Sequence, residues 1–578
     1  MLLPSDLKQS QFLKEAEFAL TAIAVLAALV CPQLGAKFFE RVERGFGRLS
    51  RRGGISAYVG LSVVVLRLAL LPLFPIPLPF VPDDFSFLLA CDTFAHGRLT
   101  NPTPAMWTHF ESIHITMQPT YQSMYFPGQG LLLAVGQILF GQPWLALLAM
   151  DGLMCAALTW ALQGWLPRRW ALLGGMIAVL WLGLFSTWIN TYHTAALLSA
   201  FGGALVLGSL PRLIRKGWFR YGLLMGLGIA ILVLTRPYEG ALLCLPVAVA
   251  LGRWTVKGKA RPPLGSLARR AVAPLLLIFA AILWLGYYDY KAFGNPLTLP
   301  YTINRQTYSM APYYIWQHPR TDLHYRHAEM REFYRRIELG FFNLIDTPWG
   351  FVPYTLGKAI FTVLFFTGFA LLPPMLTIGC VFKDRRIRFL VVCVLVMCAG
   401  LAIEAFLMPY YMAPFLAALY GLGIQGMRHL RAWKLGNSSV GLAMMRFLVV
   451  VCVAMTGIRA LASPLKLTLP EWPPSNWNLT WYGPEHYGTE RAQMEARLEQ
   501  LPGDQLVIVR YSPQHYPVDE WVYNRADIDH AKVIWARDMG PSGNLELSQY
   551  YRDRSVWLVE PDAIPARVSP YPLQEPKP

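Results

Sequence analysis

Apolar runs long enough to cross a bilayer recur from about residue 17 to residue 462, and no other feature limits the possible folds of this chain so strongly. A run of about 20 apolar residues is insoluble in water, and in lipid it satisfies its own backbone only as a helix or a closed barrel. The runs are too long for barrel strands. They predict an α-helical polytopic membrane protein of about twelve spans, near 17–34, 57–80, 143–166, 170–188, 194–211, 219–235, 238–252, 272–290, 352–378, 387–407, 410–427 and 442–462. Only 15% of the 578 residues are charged and 54% are hydrophobic, whereas a soluble domain carries about a quarter charged residues. The 19 Trp and 27 Tyr suit interfacial belts. A net charge of +16 would fit a nucleic-acid binder. Its placement argues against that, because the basic residues fall in short loops between spans, as the positive-inside rule expects. The partner is the lipid bilayer, with no nucleic acid. Residues 18–35 are preceded by acids and followed by a basic loop, which reads as an anchor helix rather than a cleavable signal peptide.

The basic loops 36–52, 212–220, 253–270 and 383–388, with Arg168–Arg169 and Arg428–Lys434, all fall on one side if the spans alternate. That side is the expected cytoplasm, and the membrane a bacterial-type inner membrane. The opposite, extracytoplasmic side then receives the loop 81–126, the turn 188–194, RPYE at 236–239, the loop 291–350, PYY at 409–411 and a polar tail, 464–578. Within the tail, QLVIVRY (505–511) and VWLVE (556–560) read as buried strands of a small α/β domain, reached through a linker, 463–484, rich in Pro and Trp. The expected division is therefore 1–56 (anchor helix and basic loop), 57–463 (transmembrane domain) and 464–578 (α/β domain). No internal repeat is visible, which weighs against an inverted-repeat transporter. Seven of the eight cysteines fall in expected helices and only Cys91 in an outer loop, so neither a disulfide nor a cysteine metal site is expected.

The most unusual stretch is PFVPDDFSFLLACDTFAHGRL, residues 79–99. Prolines at 72, 75, 77, 79 and 82 cannot sustain a helix, so the chain should leave the membrane extended. DDFSFLLACDTFAHG then reads as an amphipathic helix stopped by Gly97. Two readings of Asp83 and Asp84 stand side by side. One acid caps the helix and the other is solvated, or the pair holds a general base against the membrane, each charge raising the proton affinity of the other.

An apolar span, a carboxylate pair just outside it and a helix ending in a small residue resemble the GT-C superfamily of membrane glycosyltransferases, which includes protein O-mannosyltransferases and aminoarabinose transferases. YFPGQGLLLAVGQILFGQPW (125–144) resembles the juxtamembrane helix of that family, and YYDYKAFGNPLTLPY (287–301) its tyrosine-rich exit. The resemblance covers roughly 57–460 and leaves out the tail. It implies a glycosyltransferase that moves a hexose or pentose, with inversion, from a polyprenyl-phosphate-linked donor to an acceptor on the outer side, the acceptor being unassigned. It implies that Asp83 is the base, with Asp84 orienting the acceptor, capping the helix or sharing the role. It leaves open a divalent metal at the acidic pair.

A lipid phosphate needs cations. LHYRHAEMREFYRRIELGFF (323–342) reads as one amphipathic helix with Met330, Phe333, Tyr334, Ile337 and Phe341 on the apolar face. His327, Arg331 and Arg335 then form a basic stripe, which either faces solvent and headgroups or holds the phosphate. Arg236 and Glu239 make an interfacial ion pair, or Arg236 meets the phosphate. Arg67, costly within a span, snorkels outward or faces the acids or the phosphate. Tyr192, His193 and Tyr301 are further candidates for lining the pocket. His109, Glu111 and His114 have ligand chemistry but not zincin spacing. A transporter or flippase of lipid-linked sugars, a protein working through its external tail, and another GT-C activity such as a glycan ligase or polymerase are the alternatives. A transporter requires polar groups deep in the spans, whereas here they gather on one side.

Overall fold

The computed structural model describes residues 4–216, 219–257, 263–469 and 488–572. The expected linker is outside the described residues from 470 onward, as are Lys259 and Arg261 of one basic loop. Helices run from the start of the described chain: α1 Pro4–Val30, α2 Ala36–Leu49, α3 Ile55–Ala69, α4 Pro82–Ala95, α5 Pro127–Phe140, α6 Pro143–Trp165, α7 Arg168–Ala178, α8 Thr187–Asn190, α9 Ala196–Lys216, α10 Phe219–Thr235, α11 Pro237–Lys257, α12 Leu264–Phe293 and α13 Pro300–Tyr308. After them come α14 Ala328–Arg331, α15 Leu339–Ile345, α16 Pro348–Thr367, α17 Ile378–Lys383, α18 Arg388–Ala402, α19 Leu416–Arg431 and α20 Val440–Ala462.

Among the described residues, α6, α9, α11, α12, α16 and α20 are long and apolar enough to cross a membrane, and four shorter apolar helices (α3, α5, α10, α18) accompany them. This is a membrane protein, and several of the expected spans are shorter or less regular than the sequence suggests. The expected span 57–80 ends at Ala69: a turn at 70–74 follows, and the prolines beyond it keep residues 75–81 in a non-helical strap. The span expected at 170–188 is α7, a single i→i+5 turn at Val179–Gly183, and α8. The basic segment 36–52 is largely the helix α2 rather than a loop. Helix α6 sits at the centre, against α3 and α9, with 72% of its apolar window buried; α12 is at the edge with 17%, presenting Leu275, Phe279 and Ile282 outward, as a lipid-facing helix must. One close approach matters for the site. A Cβ on Gly203 of α9 would fall 1.9 Å from the carbonyl oxygen of Pro414, so only glycine lets the Pro409–Phe415 turn lie against α9.

The C-terminal segment folds as α21 Thr489–Glu499, α22 Gly540–Tyr550 and a four-stranded sheet. A two-stranded hairpin, β1 Ile115–Thr116 and β2 Gln122–Ser123, lies in the loop after α4. The sheet is built from β3 Asp504–Val509, β4 Val533–Arg537, β5 Arg554–Glu560 and β6 Arg567–Pro570, in the order β4-β3-β5-β6. The first three strands in that order are parallel and β6 is antiparallel. Period-two alternation gives the sheet two apolar faces. Val507, Val509, Val533 and Trp535 pack on Met494 and Leu498 of α21. On the other side Leu506, Ile534 and Ala536 share a core with Leu89, Phe110, Ile115, Met117 and Tyr121, residues of α4 and the loop after it. The tail and the 81–126 loop are thus one packed unit.

That packing changes the character of α4. Expected to be amphipathic, it is buried almost all round, from Asp84 through Phe94. Helix α5 covers one side. On the other, Tyr523 stacks on Phe85 with ring centroids 4.6 Å apart, and the Ala526 amide donates to Asp92 at 2.7 Å.

Candidate active site

The turn at 70–74 and the strap 75–81 offer carbonyls to side-chain donors. Arg67, fully buried rather than snorkelling, donates to the Phe74 and Pro75 carbonyls at 2.7 and 3.2 Å and to Asn190 Oδ1 at 2.9 Å, with its guanidinium 4.8 Å from the Trp144 ring centre. Its bonds fix the path along which the chain enters α4.

Val81 occupies the N-cap position in an extended conformation and Pro82 the first helical position, so neither acid is the cap. Asp83 and Asp84 follow in the first turn, where the helix dipole favours negative charge. Successive helical residues point about 100° apart, and here that separates the pair into two environments. Asp84 is completely buried. Its Oδ1 accepts from the Tyr192 amide and from His193 Nδ1, both at 2.9 Å, and its Oδ2 from the Phe80 amide at 3.3 Å. Tyr192 in turn donates to the Pro77 carbonyl at 3.1 Å. Asp84 therefore ties the turn after α8 to the strap. Burial works against a charged His193, but the Asp84 carboxylate outweighs it and holds His193 above the ordinary imidazole range.

Asp83 keeps 24% of its side chain exposed. Tyr125 donates a short hydrogen bond to Oδ1, and His114 Nδ1 lies 3.2 Å from Oδ2 and 3.2 Å from the Tyr125 hydroxyl. Burial raises the proton affinity of Asp83, but the charges of His114 and His193 and the hydrogen bonds from His114 and Tyr125 outweigh it, and the carboxyl is held well below the usual range. Burial and the Asp83 charge keep the Tyr125 phenol protonated, as a donor. His114 has a left-handed backbone, φ +62°.

Beside this pair, Tyr301 packs its ring 5.5 Å from that of Tyr125 and 5.4 Å from Phe126. Arg236 donates to Glu239 Oε1 at 3.1 Å and to the Thr194 carbonyl at 2.9 Å, with its guanidinium 4.6 Å from the Tyr411 ring centre and 5.1 Å from that of Tyr410. The Arg236 Nε is buried without a hydrogen-bond partner. The Tyr410 ring also lies 6.2 Å from that of His193, and the charges of Asp83, Arg236, Glu239 and Asp84 all bear on it. Seven of the expected residues, Asp83, Asp84, Tyr192, His193, Arg236, Glu239 and Tyr301, thus gather around the Pro409–Phe415 turn.

His327, Arg331 and Arg335 do not form the expected stripe. His327 is the N-cap of α14, not a helical residue, and is buried, with Nε2 2.8 Å from the Thr108 carbonyl and 3.4 Å from Glu111; Arg331 and Arg335 are exposed. The helix begins at 328 rather than 323, and between α14 and α15 it makes i→i+5 turns over Glu332–Glu338. The wider turn rotates the buried face onto Met330, Tyr334, Glu338 and Phe342, leaving Phe341 outside. His109, Glu111 and His114 point three ways, toward Gly543, toward Tyr308 and His327, and toward Asp83. Both oxygens of each acid in the Asp83–Asp84 pair are engaged by protein donors, and among the described residues no group of three or more His, Cys, Asp or Glu is placed to hold a metal ion. The residues do not build a cage for the divalent metal left open above.

An apolar groove of about 280 Å³ opens between α16, α18 and α19. Its walls include Phe366, Leu371, Val394, Leu401, Leu422 and Met427. Lys358 lines it too, donating to the Glu404 and Ala405 carbonyls at 2.8 and 3.1 Å.

No family model matches the chain, and no curated protein matches it. Among solved structures, the chain is similar to ArnT from Cupriavidus metallidurans bound to undecaprenyl phosphate (TM-score 0.48, 13% identity, 88% of this chain and 92% of that one) and to the same protein in the apo state (0.46, 15%, 88% and 92%). It is also similar to the Archaeoglobus fulgidus oligosaccharyltransferase tethered to an acceptor peptide (0.45, 12%, 87% and 69%). The roles assigned below are argued from this chain's own residues.

Proposed function

We propose that the protein is an inverting membrane glycosyltransferase that takes a sugar from a polyprenyl-phosphate-linked donor. The carrying observation is a partly exposed, ionised carboxylate, Asp83, that shares one aromatic-walled site with the Arg236 cation. In this reading Arg236, with an N–H to spare, meets the donor phosphate. The prenyl chain lies in the apolar groove that Lys358 lines. The acceptor hydroxyl approaches Asp83 on the side of the C-terminal segment, which is the extracytoplasmic side. Its oxygen bonds to the anomeric carbon from the face opposite the phosphate, the carbon–phosphate-oxygen bond breaks, and the hydroxyl proton passes to Asp83. Because the carboxylate is a weak base, proton transfer completes late, as the new C–O bond makes the oxygen acidic. Tyr125 and His114 hold the carboxylate in place. Asp84 does not reach the acceptor; it fixes the turn that carries His193.

A transporter of lipid-linked sugars would need polar groups along the groove. The groove is apolar apart from Lys358, a few threonines, Cys398 and Tyr420, which favours the transferase. Native mass spectrometry of the purified protein with added undecaprenyl phosphate tests the donor site. Specific retention of that lipid supports the reading. Retention of ordinary phospholipids alone, together with unchanged sugar transfer in Asp83→Asn, would overturn it.

A further inference from the structure

In the sheet β3 has β4 on one side and β5 on the other, so β4 is an outer strand. Its carboxyl end meets the loop after α4. Arg537, the last residue of β4, is 2% exposed and donates through Nε to the Glu111 carbonyl at 2.6 Å. A second N–H meets Glu520 Oε2 at 2.6 Å, and a third lies 3.5 Å from Glu329. Ser112 donates to the same Glu520 oxygen at 3.1 Å. Glu520 is completed by the Tyr511 hydroxyl and the Val522 amide at 2.8 and 2.9 Å. Around this pair, Tyr121 donates to the Asn524 carbonyl at 2.8 Å, and His109 Nε2 lies 3.1 Å from the Gly543 carbonyl.

A buried ion pair adds little net stability, and its better-attested use is to fix register. The register fixed here is that of residues 109–114, whose last member is His114, in a left-handed conformation beside Asp83. We infer that Arg537 is a positioning residue: the C-terminal segment uses the carboxyl end of β4 to clamp the 109–114 loop, and through that loop it sets His114 against Asp83. The tail is then part of the reaction centre without touching substrate. The inference rests on the reading of Asp83 as the reacting carboxylate.

The test uses the full chain in nanodiscs. Arg537→Lys keeps the charge but cannot bond the Glu111 carbonyl, Glu520 and Glu329 together. Ser112→Ala removes one hydroxyl and folds even if the first variant does not. Hydrogen exchange of a peptide covering 109–116 should rise at least tenfold in Arg537→Lys and more modestly in Ser112→Ala, with exchange in α6 and α9 unchanged. Turnover of an undecaprenyl-phosphate-linked sugar should fall, and the acidic limb of its pH profile should move to higher pH. The sign follows from the groups that face Asp83. His114, His193 and the Tyr125 hydroxyl stabilise its anion, Tyr410 packs beside it, and the adjacent Asp84 turns away to Tyr192 and His193. Loosening His114 therefore lets the carboxyl regain protons at higher pH. A purely structural Arg537 would lower yield or melting temperature and leave that limb where it was. Unchanged exchange and an unchanged pH profile in folded variants would overturn the inference. Full turnover in Asp83→Asn would instead overturn the reading of the site, while the exchange experiment would still decide whether the clamp exists.

Discussion

The two adjacent acids should fail in opposite ways when mutated. Asp84 is fully buried and accepts from two backbone amides and His193. Hydrogen bonds to a charged group contribute about 1.5–3 kcal/mol each, and removing one partner of a buried pair costs about 3–5 kcal/mol. Asp84→Ala should therefore lose about 3–5 kcal/mol of stability, and Asp84→Asn, which keeps the shape and one acceptor, about half of that. Asp83, with a quarter of its side chain exposed and donors from Tyr125 and His114, should lose only about 1 kcal/mol in Asp83→Asn, which keeps one acceptor. Its cost should appear in catalysis, as a loss of about 10²–10⁴ in turnover, the span of general-base contributions. The assay pairs tryptophan-monitored unfolding in detergent with turnover of a polyprenyl-phosphate-linked sugar, each corrected for the folded fraction. If Asp83→Asn transfers normally while a well-folded Asp84→Asn does not, the roles assigned to the two acids are reversed and the argument from burial fails.

Three further outcomes follow from the same geometry. Asp84 lifts the proton affinity of His193, so the stabilisation is complete below the ordinary imidazole value of about 6.5 and is lost as pH rises through the raised value; the melting temperature should fall toward alkaline pH, and the fall should be absent in His193→Gln. Gly423 lines the apolar groove and a Cβ there would meet nothing within 4 Å, so Gly423→Leu should leave melting unchanged and weaken undecaprenyl phosphate binding by tenfold or more in native mass spectrometry. Truncation after residue 469 uncovers Leu89, Phe110 and Met117, which share a core with the sheet, and should give an aggregated product by size-exclusion chromatography rather than a working transmembrane unit.

The site was legible in the sequence where chemistry was concentrated and local. The proline strap, the DD pair, RPYE and the YH turn each stood out as polar or helix-breaking residues at the end of an apolar run, and the structure gathers them. What escaped was set by distant chain. Tyr125 lies in the juxtamembrane stretch and His114 in a loop weighed only for metal binding, and nothing near either of them indicates that both reach Asp83. PYY at 409–411 was placed on the same side as the DD pair but given no role, because its approach to Arg236 depends on Gly203 of α9. Helix α4 reads as amphipathic since the protein that covers its second face lies more than 400 residues further on. The 328–345 helix misled because a regular α-helical period places Phe341 with Met330 and Tyr334, whereas i→i+5 turns bring in Glu338 and Phe342.

Helical geometry explains why two acids stand together at all. A single carboxylate in the first turn of α4 could either brace the strap or face the cavity, since its side chain has one direction. Two successive residues have two directions, and the fold uses one for each task. Asp84 turns inward to the Phe80, Tyr192 and His193 donors and so fixes where the helix starts. Asp83, placed by that same start, turns to Tyr125 and His114 with one edge left open. The exposed acid is thus as well positioned as the buried one is anchored, and a substitution at Asp84 that shifts the first turn should also displace Asp83. The coupling is checkable: the turnover deficits of Asp83→Asn and Asp84→Asn should be less than additive in the double variant, because once Asp83 has lost its carboxylate, its placement no longer matters.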